Sequence, residues 1–196
     1  MALLDWISDA GGPVVEGRGV ILRSPRQSDH EAWAILRQES YAYLQPWEPT
    51  WPEDDLTRAA FKRRLSIYQR ELEAGNAWPF FIFIDHGRTL VGAVTLSNVR
   101  RGVAETGTVG YWIASRFAGQ GHATEAVRAI IGFAFKELHL HRVEAACVPH
   151  NAASRRVLEK SGFELEGRAR AYLKINGGWA DHLLFGCVND GAGRAG

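Results

Sequence analysis

Apolar positions recur along this chain with two different periods, and the periods divide it into strands and helices. Val20, Ile21 and Leu22 form a short first strand between Gly19 and Arg23. Ser28 and Glu31 match a capping box, which predicts a helix carrying Trp33, Ile35 and Leu36. Phe61, Leu65, Tyr68 and Leu72 follow helical spacing, and Gly75 is placed to stop that helix. The runs Phe80–Ile84 and Leu90–Leu96 flank Asp85-His86-Gly87-Arg88 and predict a hairpin. A strand over roughly 105–114 then leads into a helix from Gln120 to about 138, with Ala123, Val127, Ile130, Ile131 and Ala134 facing inward. Val143–Val148 is a further strand, and Asn151 caps a short helix that ends at Gly162. The runs 163–175 and 179–188 pair around Asn176-Gly177-Gly178 as a last hairpin. The order β-α-α-β-β-β-α-β-α-β-β makes an α+β protein, with Trp33, Phe61 and Phe133 assigned to its core.

Composition narrows the class without naming a chemistry. The 196 residues suit one domain, expected over 14–190, with flexible ends at 1–13 and 191–196. A net charge of +1 marks no nucleic-acid or membrane surface. No run approaches the roughly 18 apolar residues of a membrane span, and no leader pattern opens the chain, so a cytoplasmic protein is expected. Cys147 and Cys187 each lie in an apolar strand and read as buried thiols, away from the glycine-bearing loop and not placed to form a covalent intermediate. His139, His141, His150 and His182 lack the spacing of a metal site, so no metal is expected.

The chemistry starts at Arg116-Phe117-Ala118-Gly119-Gln120-Gly121-His122-Ala123-Thr124, between a strand and a helix. The first turn of a helix carries N–H groups without internal partners, and its dipole favours an anion. Gly119 and Gly121 bring backbone close to such an anion with no Cβ between. The loop has no Lys-Ser/Thr ending of a Walker loop, and no third glycine of a dinucleotide fingerprint.

This loop resembles the pyrophosphate loop of the GNAT acetyltransferases, which hold acetyl-CoA. The segment from Asn151 through Ser154 to Gly162-Phe163 and Gly167 is similar to their second cofactor element. Four segments resemble the ribosomal-protein-alanine (RimJ-type) branch: Leu44–Pro49, Ser97–Gly102, Val148–Asn151 and Tyr172–His182. The resemblance covers about residues 17–186. It implies the GNAT fold: a mixed, mostly antiparallel sheet of about six or seven strands, splayed in the middle and flanked by about four helices.

The resemblance also implies a division of labour. Gly119, Gln120, Gly121, His122, Ala123 and Thr124 would hold the pyrophosphate, with Arg116 adding charge or standing solvated in the loop. Main-chain groups of Trp112, Ile113 and Ala114 would pair with the pantetheine arm as an added strand does, and Gly110 would ease the splay or mark a bulge. Asn151 would steady the arm, and Ser154 would protonate the leaving thiolate, with Tyr172 as reserve acid. The same asparagine and serine also suit a plain helix start.

The general base is open. Relatives place a glutamate just before the Gly-Tyr-Trp of the central strand, where this chain has Thr108, or a base on the sixth strand, where it has Leu173. Glu48, Glu105 or ordered water remain. The acceptor wall is expected from Tyr43, Trp47, Glu48, Trp51, Asn98, Arg100, Tyr172 and Trp179, with Asp181 structural. The implied reaction is direct acetyl transfer to the α-amine of a protein N-terminus, alanine or serine first, on a ribosomal protein. A polyamine or antibiotic amine, or a CoA-binding module without turnover, is the alternative. A monomer or homodimer is expected.

Overall fold

The computed structural model describes residues 7–8 and 12–192. A long apolar run organises it. In β4 (Trp78–Ile84) every residue but the last is buried, because the strand has helices on both faces. Phe80 and Ile82 point into the larger core, with Phe133 and Ile130 of α4 (His122–Lys136). Phe81 and Phe83 point the other way, to Trp33 and Leu36 of α1 (His30–Glu39) and Phe61 of α3 (Arg58–Glu73). The core assignments of Trp33, Phe61 and Phe133 therefore hold, the first two on one side of the sheet and Phe133 on the other.

Around β4 runs one sheet in the order β1-β2-β3-β4-β5-β6-β7-β9-β8. Its other strands are β1 (Ile7–Ser8), β2 (Gly12–Gly17), β3 (Val20–Arg23), β5 (Thr89–Arg100), β6 (Thr106–Ile113), β7 (Arg142–Cys147), β8 (Glu164–Ile175) and β9 (Gly178–Val188). All neighbours are antiparallel except β6 and β7. The two helices not yet placed are the single turn α2 (Tyr41–Leu44) and α5 (Ala152–Lys160). The mixed, mostly antiparallel α+β architecture stands as expected. It carries two more strands at its edge than expected, β1 and β2, and the extra turn α2. Gly12 and Pro13 lie in β2 rather than in a loose end, as do Ile7 and Ser8 in β1; the rest of 1–13 and residues 193–196 fall outside the described residues. Glycine and proline at the start of β2 read as loop composition, which hid the strand.

Two local expectations change. Ser28 does not cap α1; Asp29 stands at its N-cap without a side-chain cap bond, and its carboxylate instead ties down the turn that precedes the helix. Its carboxylate accepts Arg26 N–H at 2.7 Å and a two-pronged Arg23 guanidinium at 2.7 and 2.8 Å, and a 3-10 turn over Gln27–Asp29 leads into the helix. The central helix starts at His122 rather than near Gln120, because Gly121 takes φ +89 as its N-cap. The turn residues Asn176 (φ +45) and Gly177 (φ +84) close the last hairpin as a two-residue loop, as expected.

The strand pair that matters for function is the parallel one. β6 and β7 pair only at Thr106–Arg142, Gly107–Val143 and Thr108–Glu144. Beyond Thr108, β6 stays with β5 as far as Ile113, while β7 stays with β9 as far as Cys147. Each strand follows its own antiparallel partner, and the sheet forks. No register shift occurs at Gly110, which pairs with Thr95, so it marks no bulge.

Gly92 locks the lip of this fork. A Cβ there would stand 2.2 Å from the Trp112 carbonyl oxygen and 3.0 Å from Ile113 Cα, both main chain of β6. Gly92→Ala is expected to push β6 at its forked end and to destabilise the protein by about 1–3 kcal/mol, the usual cost of overpacking. Urea denaturation measures the loss, and calorimetry with CoA should show weaker binding; an unchanged midpoint would remove Gly92 from this role.

Candidate active site

The fork opens a cleft of about 720 Å³ between β6 and β7, bounded by the Gly119–Thr124 loop, α5, the Tyr43–Pro49 segment and the β8–β9 hairpin. At one end lies the glycine loop. Gly119 and Gly121 have φ of +75 and +89, with no atom within 4 Å of where a Cβ would stand. The first intrahelical bond of α4 runs from Glu125 N–H to Gly121 O at 3.1 Å, so the N–H groups of His122, Ala123 and Thr124 precede the ladder. The buried Nε2 of His122 is also without a partner. Open backbone, unpaired N–H groups and a helix N-terminus fit the pyrophosphate of CoA.

The flanking side chains divide differently from expectation. Arg116 pairs with Glu39 of α1 at 3.1 Å and is half exposed, and Gln120 donates to Arg116 O at 3.1 Å. Both brace the loop from outside, and neither lines the cleft. The cations that do line this end are Arg156 and Lys160 of α5. Sequence reading missed them, since they follow the Asn151 motif with no spacing of their own.

The main chain of β6 is also settled by register. Ala114 N–H donates to Val91 O at 2.9 Å. Groups alternate along an antiparallel ladder, so Trp112 and Ala114 turn theirs towards β5, while Ile113 and Tyr111 turn theirs towards the fork. Of the three expected strand contacts, only Ile113 offers its main chain to an arm lying in the cleft, and Tyr111 joins it.

Next to that main chain sits a hydroxyl pair. Asn151 Oδ1 accepts Ser154 N–H at 2.9 Å and caps α5, which fixes Ser154 on the cleft wall. The Tyr111 hydroxyl lies 3.0 Å from Ser154 Oγ and 3.1 Å from Ser154 O. Burial pushes the Tyr111 phenol far above its ordinary range, against the pull of its Ser154 hydrogen bond. It therefore remains a proton donor. The tyrosine beside Ser154 is this one and not Tyr172, which lies half exposed on β8 outside the cleft lining. Counting by twos from buried Val109 would have found Tyr111 in the sequence.

Cys147, the last residue of β7, also lines the cleft rather than lying away from it. Burial raises its pKa, with Ser154 the main opposing hydrogen bond, so the thiol stays protonated at neutral pH and is a poor nucleophile.

On the other side, Tyr43, Trp47 and Glu48 line the cleft. Glu48 is held by a residue the sequence did not flag. Arg37 of α1, buried, donates to both its oxygens at 2.8 and 2.7 Å, and Trp51 Nε1 donates to Oε2 at 2.8 Å. The guanidinium is stacked 3.8 Å from the Trp51 ring and 4.9 Å from the Trp112 ring. Trp51 thus braces Glu48 from behind and does not line the cleft. The Glu48 carbonyl accepts Asn176 N–H at 2.8 Å, which ties this loop to the hairpin tip.

Four expected residues fall elsewhere. Glu105 lies just before β6, about 20 Å along the strand from Tyr111; its carbonyl accepts His141 and Arg142 N–H, and its side chain meets Arg101 at 3.4 Å. Asn98, at φ +51, and Arg100, 3.5 Å from Glu144, occupy the irregular stretch of β5 beside the closed end of the fork. Trp179 is 69% exposed on the face of β9 opposite His182. Asp181 is structural, as read: it accepts Ala171 N–H at 2.9 Å and Arg168 at 2.6 Å, and these donors, the N–H first, hold its pKa low. Its bond pins a bulge in β8, where Ala169 faces His182 but Leu173 faces Ala180.

Comparison with known proteins places this geometry in a family. The acetyltransferase (GNAT) domain family matches residues 20–164. The chain is 36% identical to the probable N-acetyltransferase YjcK of Bacillus subtilis, over 90% of this chain and 97% of that one. It is 34% identical to the [ribosomal protein uS5]-alanine N-acetyltransferase of Escherichia coli, over 80% and 81%. The structure of Mycobacterium smegmatis RimJ in complex with CoA-disulfide superposes with a TM-score of 0.85 at 33% identity, covering 94% of this chain and 90% of that one. Forked sheet, glycine loop and sequence agree: the chain belongs to the GNAT acetyltransferases, in their RimJ-type branch, and is an N-acetyltransferase that takes its acetyl group from acetyl-CoA.

Proposed function

We propose that the acceptor is the α-amino group of a protein N-terminus, with alanine or serine first, on a ribosomal protein in the cytoplasm. One observation carries this reading. Glu48 is the only carboxylate among the described residues lining the cleft, and both its oxygens are engaged by Arg37 and Trp51. A lysine acceptor is the harder amine to use here, because fewer than about one lysine amine in a thousand is neutral at pH 7. An α-amine, with a pKa near 8, is already neutral about one time in ten. The aromatic wall of Tyr43 and Trp47 suits an extended chain end. The E. coli relative, a [ribosomal protein uS5]-alanine N-acetyltransferase, supports the same acceptor.

The thioester of acetyl-CoA supplies the activated acetyl group. Ser154 delivers a proton to the leaving sulfur, and the Tyr111 phenol, 3.0 Å behind it, restores that hydroxyl. The main chain of Tyr111 and Ile113 aligns the arm, and Asn151 keeps Ser154 in register.

An acetylation assay with peptides beginning Ala or Ser, beside a lysine peptide and polyamines, tests the acceptor. Turnover on the N-terminal peptides is expected, and turnover on polyamines alone would overturn the reading. Ser154→Ala should lower kcat by about 10²–10⁴-fold, the usual share of a general acid, with CoA affinity by calorimetry unchanged; Tyr111→Phe should lower it less, since Ser154 remains. Because the Cys147 thiol stays protonated, transfer is direct. Initial rates at varied peptide and acetyl-CoA should give intersecting lines, whereas parallel lines with an acetylated Cys147 in mass spectra would show a covalent step.

A further inference from the structure

His182 of β9 is 3% exposed yet lines the cleft. Its Nδ1 lies 3.0 Å from the Ala180 carbonyl oxygen. A carbonyl only accepts, so that bond requires the proton on Nδ1, and the neutral ring then carries its lone pair on Nε2. The ring is oriented by Tyr172, which packs edge-on at 5.7 Å. The register continues from Cys147–Leu183 to set His182 beside Val148, where β7 leaves the sheet and the chain turns towards Asn151 and Ser154.

We propose that His182 Nε2 takes the proton from the acceptor ammonium, a role that rests on the amine-transfer reading above but not on which amine is used. Among the described residues lining the cleft, no other imidazole stands at this end, and the carboxylate, phenols and thiol are held otherwise. From β6 and β7, burial keeps Tyr111 and Cys147 protonated. From β8, Lys174 is a cation, and Leu173 opposite Ala180 has nothing to accept with. From the Pro46–Pro49 loop, Glu48 is held by Arg37 and Trp51, and from α2, Tyr43 is a phenol. Arg156, Lys160 and His122 stand at the glycine-loop end, where the phosphates bind.

The step balances as follows in atoms. The ammonium gives one proton to Nε2, and its nitrogen forms the bond to the thioester carbonyl carbon. The C–S bond breaks, and the sulfur leaves with a proton from Ser154. The nitrogen sheds its second proton to solvent, His182 releases the first to solvent, and Ser154 is reprotonated from solvent by way of Tyr111, which ends the cycle as a phenol again. The net products are the amide, CoA thiol and one proton.

The test compares wild type with His182→Gln and His182→Ala. On whichever amine the wild type acetylates, both variants should lose tenfold or more in kcat/KM at pH 7. The deficit should shrink as pH rises past the amine's own pKa, near 8 for an α-amine, because the acceptor then arrives neutral. CoA affinity should not change, and free imidazole should restore part of the His182→Ala rate. A deficit independent of pH, or no deficit, would overturn the proposal while leaving the acceptor assignment standing. Activity confined to polyamines would overturn the acceptor assignment, and the same comparison would still decide on His182. Nitrogen-15 NMR of the wild-type imidazole needs neither turnover nor a folded variant: the Nδ1–H form is expected at pH 7, and the Nε2–H form would overturn the proposal.

Discussion

Everything in this site depends on where two parallel strands stop bonding. Main-chain N–H and C=O groups cannot be buried unpaired without cost, so a sheet that forks exposes a demand for partners along both inner edges. Thr108 and Glu144 are the last pair, and from there Tyr111 and Ile113 present main-chain groups to the gap. A cofactor with an amide-bearing arm meets that demand as an added strand does. Ordering of the arm, access to Ser154 and the placing of the amine all follow from this geometry. The fork holds because each strand is secured on its outer side, β6 by β5 and β7 by β9.

The two ends of the cleft are built from different physics. The glycine-loop end uses backbone dipoles and open space, supplemented by two cations from α5. The acceptor end uses aromatic surface around a paired carboxylate, with Arg37 sandwiched between Trp51 and Trp112. Such a pair, with its guanidinium buried, gives little net stability by itself, but it fixes the loop that carries Trp47 and Glu48. Glu48 is thereby held in one place, with both carboxylate oxygens engaged.

The sequence exposed the cofactor half far better than the acceptor half, for a physical reason. Gly119, Gly121 and Asn151 do backbone jobs that only a few residue types perform, and their spacing is local, so they show in a single sequence. Ser154 shows because it sits three residues from its cap. Tyr111 was hidden in an apolar strand, where only parity tells a core residue from a cleft residue. Arg37 was invisible and His182 was read only for metal binding: what each faces is brought near by the fold, Glu48 in one case and the open cleft in the other. Glu105, Asn98 and Arg100 misled because they are close in sequence to the central strands, yet lie at the end where those strands are still paired.

The bulge pinned by Asp181 has a consequence for which β8 side chain meets the cleft. Two more residues lie on β8 than on β9 between the Ala169–His182 and Leu173–Ala180 pairs. Sliding that bulge by one position would exchange Tyr172 and Leu173 between cleft and solvent without altering either residue. Asp181 therefore works as a register lock: its bond to Ala171 N–H holds the register in which Leu173, and not Tyr172, lines the cleft.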